Sequence, residues 1–122
     1  MLGSEQTTIA NRNDVPRAEK IARLNDQLRT TGTGGQILIT RGVMALPGFD
    51  APALMQALKQ YDSFDIDNDP HGERDFGGFD LWSAEQLFKV DYYAPDMMFG
   101  SNDPADPAVT HRVLTVMLAE EY

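Results

Sequence analysis

Cysteine is absent from the 122 residues, and basic side chains are scarce. The first absence excludes a disulfide scaffold, a Cys-ligated zinc or iron–sulfur centre, a Cys nucleophile and a thiol redox site. The second leaves 10 Lys and Arg against 19 Asp and Glu. That balance excludes direct electrostatic binding of nucleic acid, which needs clustered Lys and Arg. No run approaches the roughly 18 apolar residues of a membrane span, and residues 1–14 hold no apolar stretch of signal-peptide length. The expected setting is therefore the cytoplasm, with no membrane partner. Histidine occurs only as His71 and His111, and serine only as Ser4, Ser63, Ser83 and Ser101. None of the serines sits in a nucleophile-elbow sequence, so a Ser-His hydrolase has no anchor here.

What is present is ordinary in amount and uneven in placement. Hydrophobic residues make up 42% and charged residues 24%, which suits a globular chain rather than a disordered one. The net charge of -9 is not spread evenly. Residues 1–41 are slightly basic. Residues 62–106 carry twelve acids against Arg74 and Lys89, for a net -10. A split of that size within one domain points to a charged working surface.

The patterning predicts a flexible tail over 1–13 and a single α+β domain over 14–122. Asp14 and Pro16 start a helix with Ala18, Ile21, Leu24 and Leu28 at helical spacing, and Gly32 ends it. Gln36–Val43 reads as a strand apolar on both faces and so interior to a sheet. Asp50 caps a second helix with Pro52 in its first turn and Leu54, Leu58 and Tyr61 as its stripe. Residues 62–75 form an acidic loop. Phe76–Trp82 and Gln86–Tyr93 form a hairpin joined at 83–85. Its Phe79, Leu81, Phe88, Val90 and Tyr92 face the core, while Asp80, Trp82, Lys89, Asp91 and Tyr93 share the other face. Asp106 and Pro107 open a final helix, apolar around most of its circumference, with Val113 and Met117 in the core. Its end carries Glu120 and Glu121, with Arg41 or Arg112 as counter-charge. The expected fold is a small three-stranded, mostly antiparallel sheet packed by helices, in the order α-β-α-β-β-α.

Five strings occur together in this order: ILITRG at 37–42, DNDPHGERDFG at 67–77, FKVDYY at 88–93, GSNDPADP at 100–107 and RVLTVMLAEEY at 112–122. Jointly they resemble a family of small bacterial proteins, the domain-of-unknown-function family 3768, over roughly residues 20–122. The family brings no assigned activity, so the resemblance implies no catalytic residue. It implies that position 74 is often His in similar sequences, where this chain has Arg74, and that weakens a metal reading that needs a second His here. Similar sequences tend to occur in alphaproteobacteria, often on mobile elements, which implies an accessory role.

Two constellations are candidates for function. The first is Asp65, Asp67, Asn68, Asp69, His71, Glu73 and Asp75. The calcium-loop template fails, because counting from Asp65 its sixth and twelfth positions are Pro70 and Phe76 rather than Gly and Glu. His71 and Glu73, two apart on an extended segment, point to one side, and with Asp75 they form a candidate divalent-metal set. The plain alternative is a solvated loop whose Asp and Asn side chains cap their own turns. The second is the sheet face with Asp80, Trp82, Lys89, Asp91 and Tyr93, either an aromatic and charged surface suited to a partner or a face covered by the N-terminal helix with Lys89 paired to an acid. The glycine-rich Thr30–Gly35 stretch lies between helix and strand, the wrong order for a phosphate cradle, and reads as a turn.

The function these features favour is a small acidic interaction protein without catalysis or cofactor. Its binding surface would be Asp65, Asp67, Asp69, His71, Glu73, Arg74, Asp75, Trp82 and Asp91. Its partner would be another protein with a basic surface, and an inhibitor or accessory of a nucleic-acid-processing system is one version. A homo-oligomer is compatible with the sequence. The alternative is a metal-dependent hydrolase using His71, Glu73 and Asp75.

Overall fold

The computed structural model describes residues 15–122, so the expected tail and the Asp14 cap lie outside the described residues. Helix α1 spans Arg17–Thr31 and ends where Gly32 adopts φ 75°, donating its N–H to the Leu28 carbonyl. A left-handed residue here suits glycine, which has no Cβ to clash. Strand β1, Gln36–Ile39, is shorter than the sequence suggests. Thr40 stops it by accepting from the Val43 amide, which caps a one-turn helix α2 over Arg41–Met44. Helix α3, Ala51–Gln60, starts as expected, with the Asp50 carboxylate accepting from the Ala53 N–H.

Strands β2 (Phe76–Leu81) and β3 (Ala84–Tyr93) form the expected hairpin. Their turn is only Trp82–Ser83, and both residues have positive φ, 56° and 60°. This is the backbone twist that two-residue hairpin turns require.

The largest correction concerns the end of the chain. Asp106 does cap a turn, but the turn is a three-residue 3-10 helix, Pro107–Val109. The segment after it is strand β4, His111–Leu118, not a helix. Among the described residues the sheet therefore has four strands, in the order β1-β4-β3-β2. β1 runs parallel to β4, and the other two pairings are antiparallel. The mixed α+β class stands, while the three-stranded sheet and the α-β-α-β-β-α order do not. The reason is physical. A run apolar on all sides fits a strand buried on both faces as well as a buried helix, because it has no period to choose between them. Here Leu114 and Val116 turn to one face, Val113 and Met117 to the other, and all four are buried.

β1, expected inside the sheet, is an edge strand, and Leu38 is 44% exposed. The main core cluster lies on one face of the sheet. Leu28 from α1, Leu54 and Leu58 from α3 and Val43 from α2 pack on Phe88, Val90, Leu114 and Val116. Each fully buried Leu or Phe contributes about 1.5–3 kcal/mol over an exposed one. Val113 and Met117, expected in the core against the Phe88 and Val90 face, are buried on the opposite face of the sheet because their segment is a strand beside β3. Among the described residues no helix is long and apolar enough to cross a membrane.

A candidate binding surface on the acidic half

The loop between α3 and β2 is pinned at its start by aromatic packing. Tyr61 meets Phe64 and Phe88 edge-on, with centroids 4.9 and 5.2 Å apart. Beyond this point the loop is built by its own polar side chains. One Asp65 oxygen accepts from the amides of Asp67 and Asn68, and the Asn68 side chain accepts from the Asp65 amide. The Asp69 carboxylate accepts from the Arg74 amide. Asp65 and Asp69 thus hold the loop's shape, as short polar side chains do in turns. Asp67 is exposed and makes no side-chain bond among the described residues.

Arg74 sits at φ 52° and turns away from these acids. Its guanidinium reaches Asp26 of α1 at 2.8 Å and Glu19 at 3.2 Å. That contact holds the Glu19 carboxyl below its ordinary range, and the Asp26 carboxylate raises the Arg74 pKa in turn. Arg29, buried on α1, pairs with Asp26 at 2.8 Å, donates to the Leu58 carbonyl and lies over the Phe64 ring. Lys89, the other base of the segment, pairs with Asp91 at 2.5 Å, which raises its pKa. Both bases of residues 62–106 are thus committed inside the molecule. Asp62, Asp67, Asp80, Glu85 and Asp96 are exposed, with no ion-pair partner among the described residues.

Glu73 and Asp75 lie deeper. The Glu73 carboxylate accepts from the Tyr92 hydroxyl at 3.0 Å. Asn25 of α1, fully buried, donates to that hydroxyl and to the Glu73 carbonyl. Arg112 of β4, 1% exposed, donates to the Asn25 side chain at 2.7 Å and to the Pro104 carbonyl, with its guanidinium over the Tyr92 ring. Burial raises the Tyr92 pKa and lowers that of Arg112. Burial also raises the Asp75 carboxyl, with nearby Glu73 adding to the rise. This chain of contacts ties α1, the acidic loop, the 101–106 loop and two strands together.

The metal set expected from the sequence is not assembled. Among the described residues no three His, Asp or Glu side chains are placed to hold an ion. His71 is exposed, Glu73 is bonded to Tyr92, and Asp75 is half-buried. The extended spacing does not bring them to one side because Gly72 and Arg74, both at positive φ, bend the backbone between them.

The second constellation is split. Asp91, Lys89, Tyr93 and Asp80 do share the face opposite the helices, as the pairing of Lys89 with Thr115 and of Asp91 with Val113 requires. Trp82 does not join them. It sits in the turn and packs edge-on against Phe49 at 5.5 Å, on the core side. That contact is why the chain accepts an aromatic residue at positive φ. His111 begins β4 rather than a helix, 3.3 Å from the Gln36 side chain. Glu121 draws on neither Arg41 nor Arg112. Instead Thr40 and the Leu118 amide donate to it, which holds its carboxyl below the ordinary range.

Sequence reasoning missed the linked side chains of Asn25, Tyr92 and Arg112. Their signal was two polar residues in apolar positions: Asn25 one turn from Ile21 and Leu28 on the buried side of α1, and Arg112 beside the apolar run Val113, Leu114, Val116 and Met117.

Along the free edge of β2 runs a groove of about 440 Å3, lined by Tyr61, Asp65, Gly78, Phe79, Asp80 and Glu85 among others. The family profile described as a protein of unknown function (DUF3768) matches residues 39–121. The chain belongs to that family. The DUF3768 span takes in the acidic loop, the β2 edge, Tyr92 and Arg112, but it leaves out α1 with Asn25, Asp26 and Glu19. No curated protein and no solved structure matches the chain.

Proposed function

We propose that this DUF3768 chain is a small non-enzymatic interaction protein whose acidic half, residues 62–106, engages a basic surface on another protein. One observation carries the reading. Arg74 and Lys89 are spent on Asp26, Glu19 and Asp91, so the outward carboxylates keep their full field. A fixed field of one sign speeds encounter with an oppositely charged partner and weakens as salt rises. A basic channel of a nucleic-acid-processing enzyme is such a surface, and occupying it would make this chain an accessory or inhibitor of that enzyme.

The loop's construction selects the variant that tests this. Asp65 and Asp69 build the loop, so the informative change is Asp67→Asn, Asp80→Asn and Glu85→Gln together. Partners captured by the unaltered protein at low salt should be lost from the triple variant and at high salt. Retention of the same partners by a correctly folded triple variant would refute the proposal.

A further inference from the structure

β2 is an edge strand, and half of its main-chain groups have no partner in the sheet. Val90 donates to the Asp75 carbonyl. In an antiparallel ladder bonded pairs alternate, so Gly77, Phe79 and Leu81 bond toward β3. Phe76, Gly78 and Asp80 then point their N–H and C=O groups outward, and no other described segment bonds to them. An edge of this kind is a template for another strand, and folds normally blunt it with lysine, proline or a covering loop. Among the described residues it is left open. The residue at its centre is Gly78, whose missing side chain exposes the backbone, and the groove along the edge is walled by the 61–68 loop.

The groove's charge identifies what it takes. Asp80 and Glu85 are directly opposite each other across β2 and β3. By the same alternation they form a non-bonded pair, the type with the closest side chains, and like charges there are destabilising. Neither has a cation among the described residues, and Asp65 adds a third carboxylate to the same groove. Tyr61 and Phe79 supply apolar contact beside them. We infer that the free edge of β2 binds an extended basic segment of a partner protein by strand addition. Its Lys or Arg side chains, at every second position, lie against Asp80 and Glu85, and apolar residues alternate with them. Main-chain bonds would give the affinity and the alternate side chains the choice of partner. This rests on the acidic-surface reading and adds a mode of binding to it.

The probe is a peptide of alternating Lys and Val as long as β2, set against its Glu-Val counterpart, with the intact chain. Binding of the Lys-Val peptide should slow amide exchange at Gly78 and Asp80, and the Glu-Val peptide should not bind. Gly78→Pro removes one outward N–H, at an edge position where proline leaves the sheet's own bonds intact. It should weaken binding about tenfold or more, the worth of one main-chain bond. If that variant does not fold, amide protection in the unaltered chain decides alone. Peptide bound without protection at Gly78 and Asp80, yet lost from the Asp67, Asp80 and Glu85 triple variant, would overturn strand addition and leave the acidic-surface reading standing. No binding of the Lys-Val peptide would overturn strand addition as well. Protection that appears without peptide and rises with protein concentration would make a second copy the occupant and overturn the basic segment.

Discussion

Arg112 is a buried cation held by neutral partners: the Asn25 amide oxygen, the Pro104 carbonyl and the face of Tyr92. Its charge is tolerated because these dipoles replace its water, and its loss would strand two acceptors. Arg112→Met keeps the length of the side chain and removes the donors. It is expected to lower unfolding free energy by about 3 kcal/mol, read by urea denaturation. Asp75 makes the opposite case. Burial and Glu73 raise its carboxyl above the ordinary Asp value of 3.8. A raised folded value means that the protonated form stabilises the fold, fully below the ordinary value, and that this contribution is lost as pH rises through the raised value. Asp75→Asn should abolish that part of the pH dependence and be more stable than the unaltered chain at neutral pH. Paired urea titrations from acid to neutral pH check this. A constant difference between the two proteins across that range would contradict it.

At the scale of elements, local chemistry is legible in the sequence and global pairing is not. The Asp50 cap, the stop at Gly32 and the β2–β3 hairpin all rest on residues within a few positions of each other. The sequence carries such signals directly. β4 reads as a helix because Val113, Leu114, Val116 and Met117 are apolar in all directions, and only the β1 and β3 partners decide between strand and helix. The spacing puts Leu24 in the α1 stripe, yet Asn25 occupies the buried position, since a polar side chain can enter a core that brings it three partners. The pattern starts the hairpin turn one residue late, because Trp82 looks like a strand residue and its packing on Phe49 is a long-range fact, and ends it two residues late at Glu85. Ser83 at φ 60° has no such compensation. Ser83→Gly should therefore stabilise the hairpin by about 1 kcal/mol, seen as a higher midpoint in thermal unfolding.

For the whole molecule, the charge distribution is legible in outline. Composition locates the acids in residues 62–106, but it does not show which are structural. Asp65 and Asp69 serve the loop, Asp91 and Asp103 are paired, and Asp67, Asp80 and Glu85 are outward with no ion-pair partner among the described residues. Those distinctions depend on where Arg74, Lys89 and Arg17 point. The sheet order also sets what the molecule can lose. β4 lies between β1 and the hairpin, so a chain ending at residue 110 keeps β1 and β2–β3 with nothing to join them. Such a chain is expected to show no cooperative thermal transition, and far-UV circular dichroism with a melt would check it.

The parallel pairing of β1 with β4 also governs when the protein can fold. On the ribosome, β1 emerges before the hairpin, and the one strand that pairs with it among the described residues emerges after the hairpin, the two being separated by residues 40–110. Closing so long a span is slow, because the entropy of the loop must be lost before the contacts form. Until β4 appears, Ile37 and Ile39 have no strand beside them and the hairpin shows an open edge on each side. The nascent chain is thus most prone to association with other chains just before synthesis reaches His111. It depends on speed through that interval, or on a chaperone, more than a domain built only of sequential hairpins would.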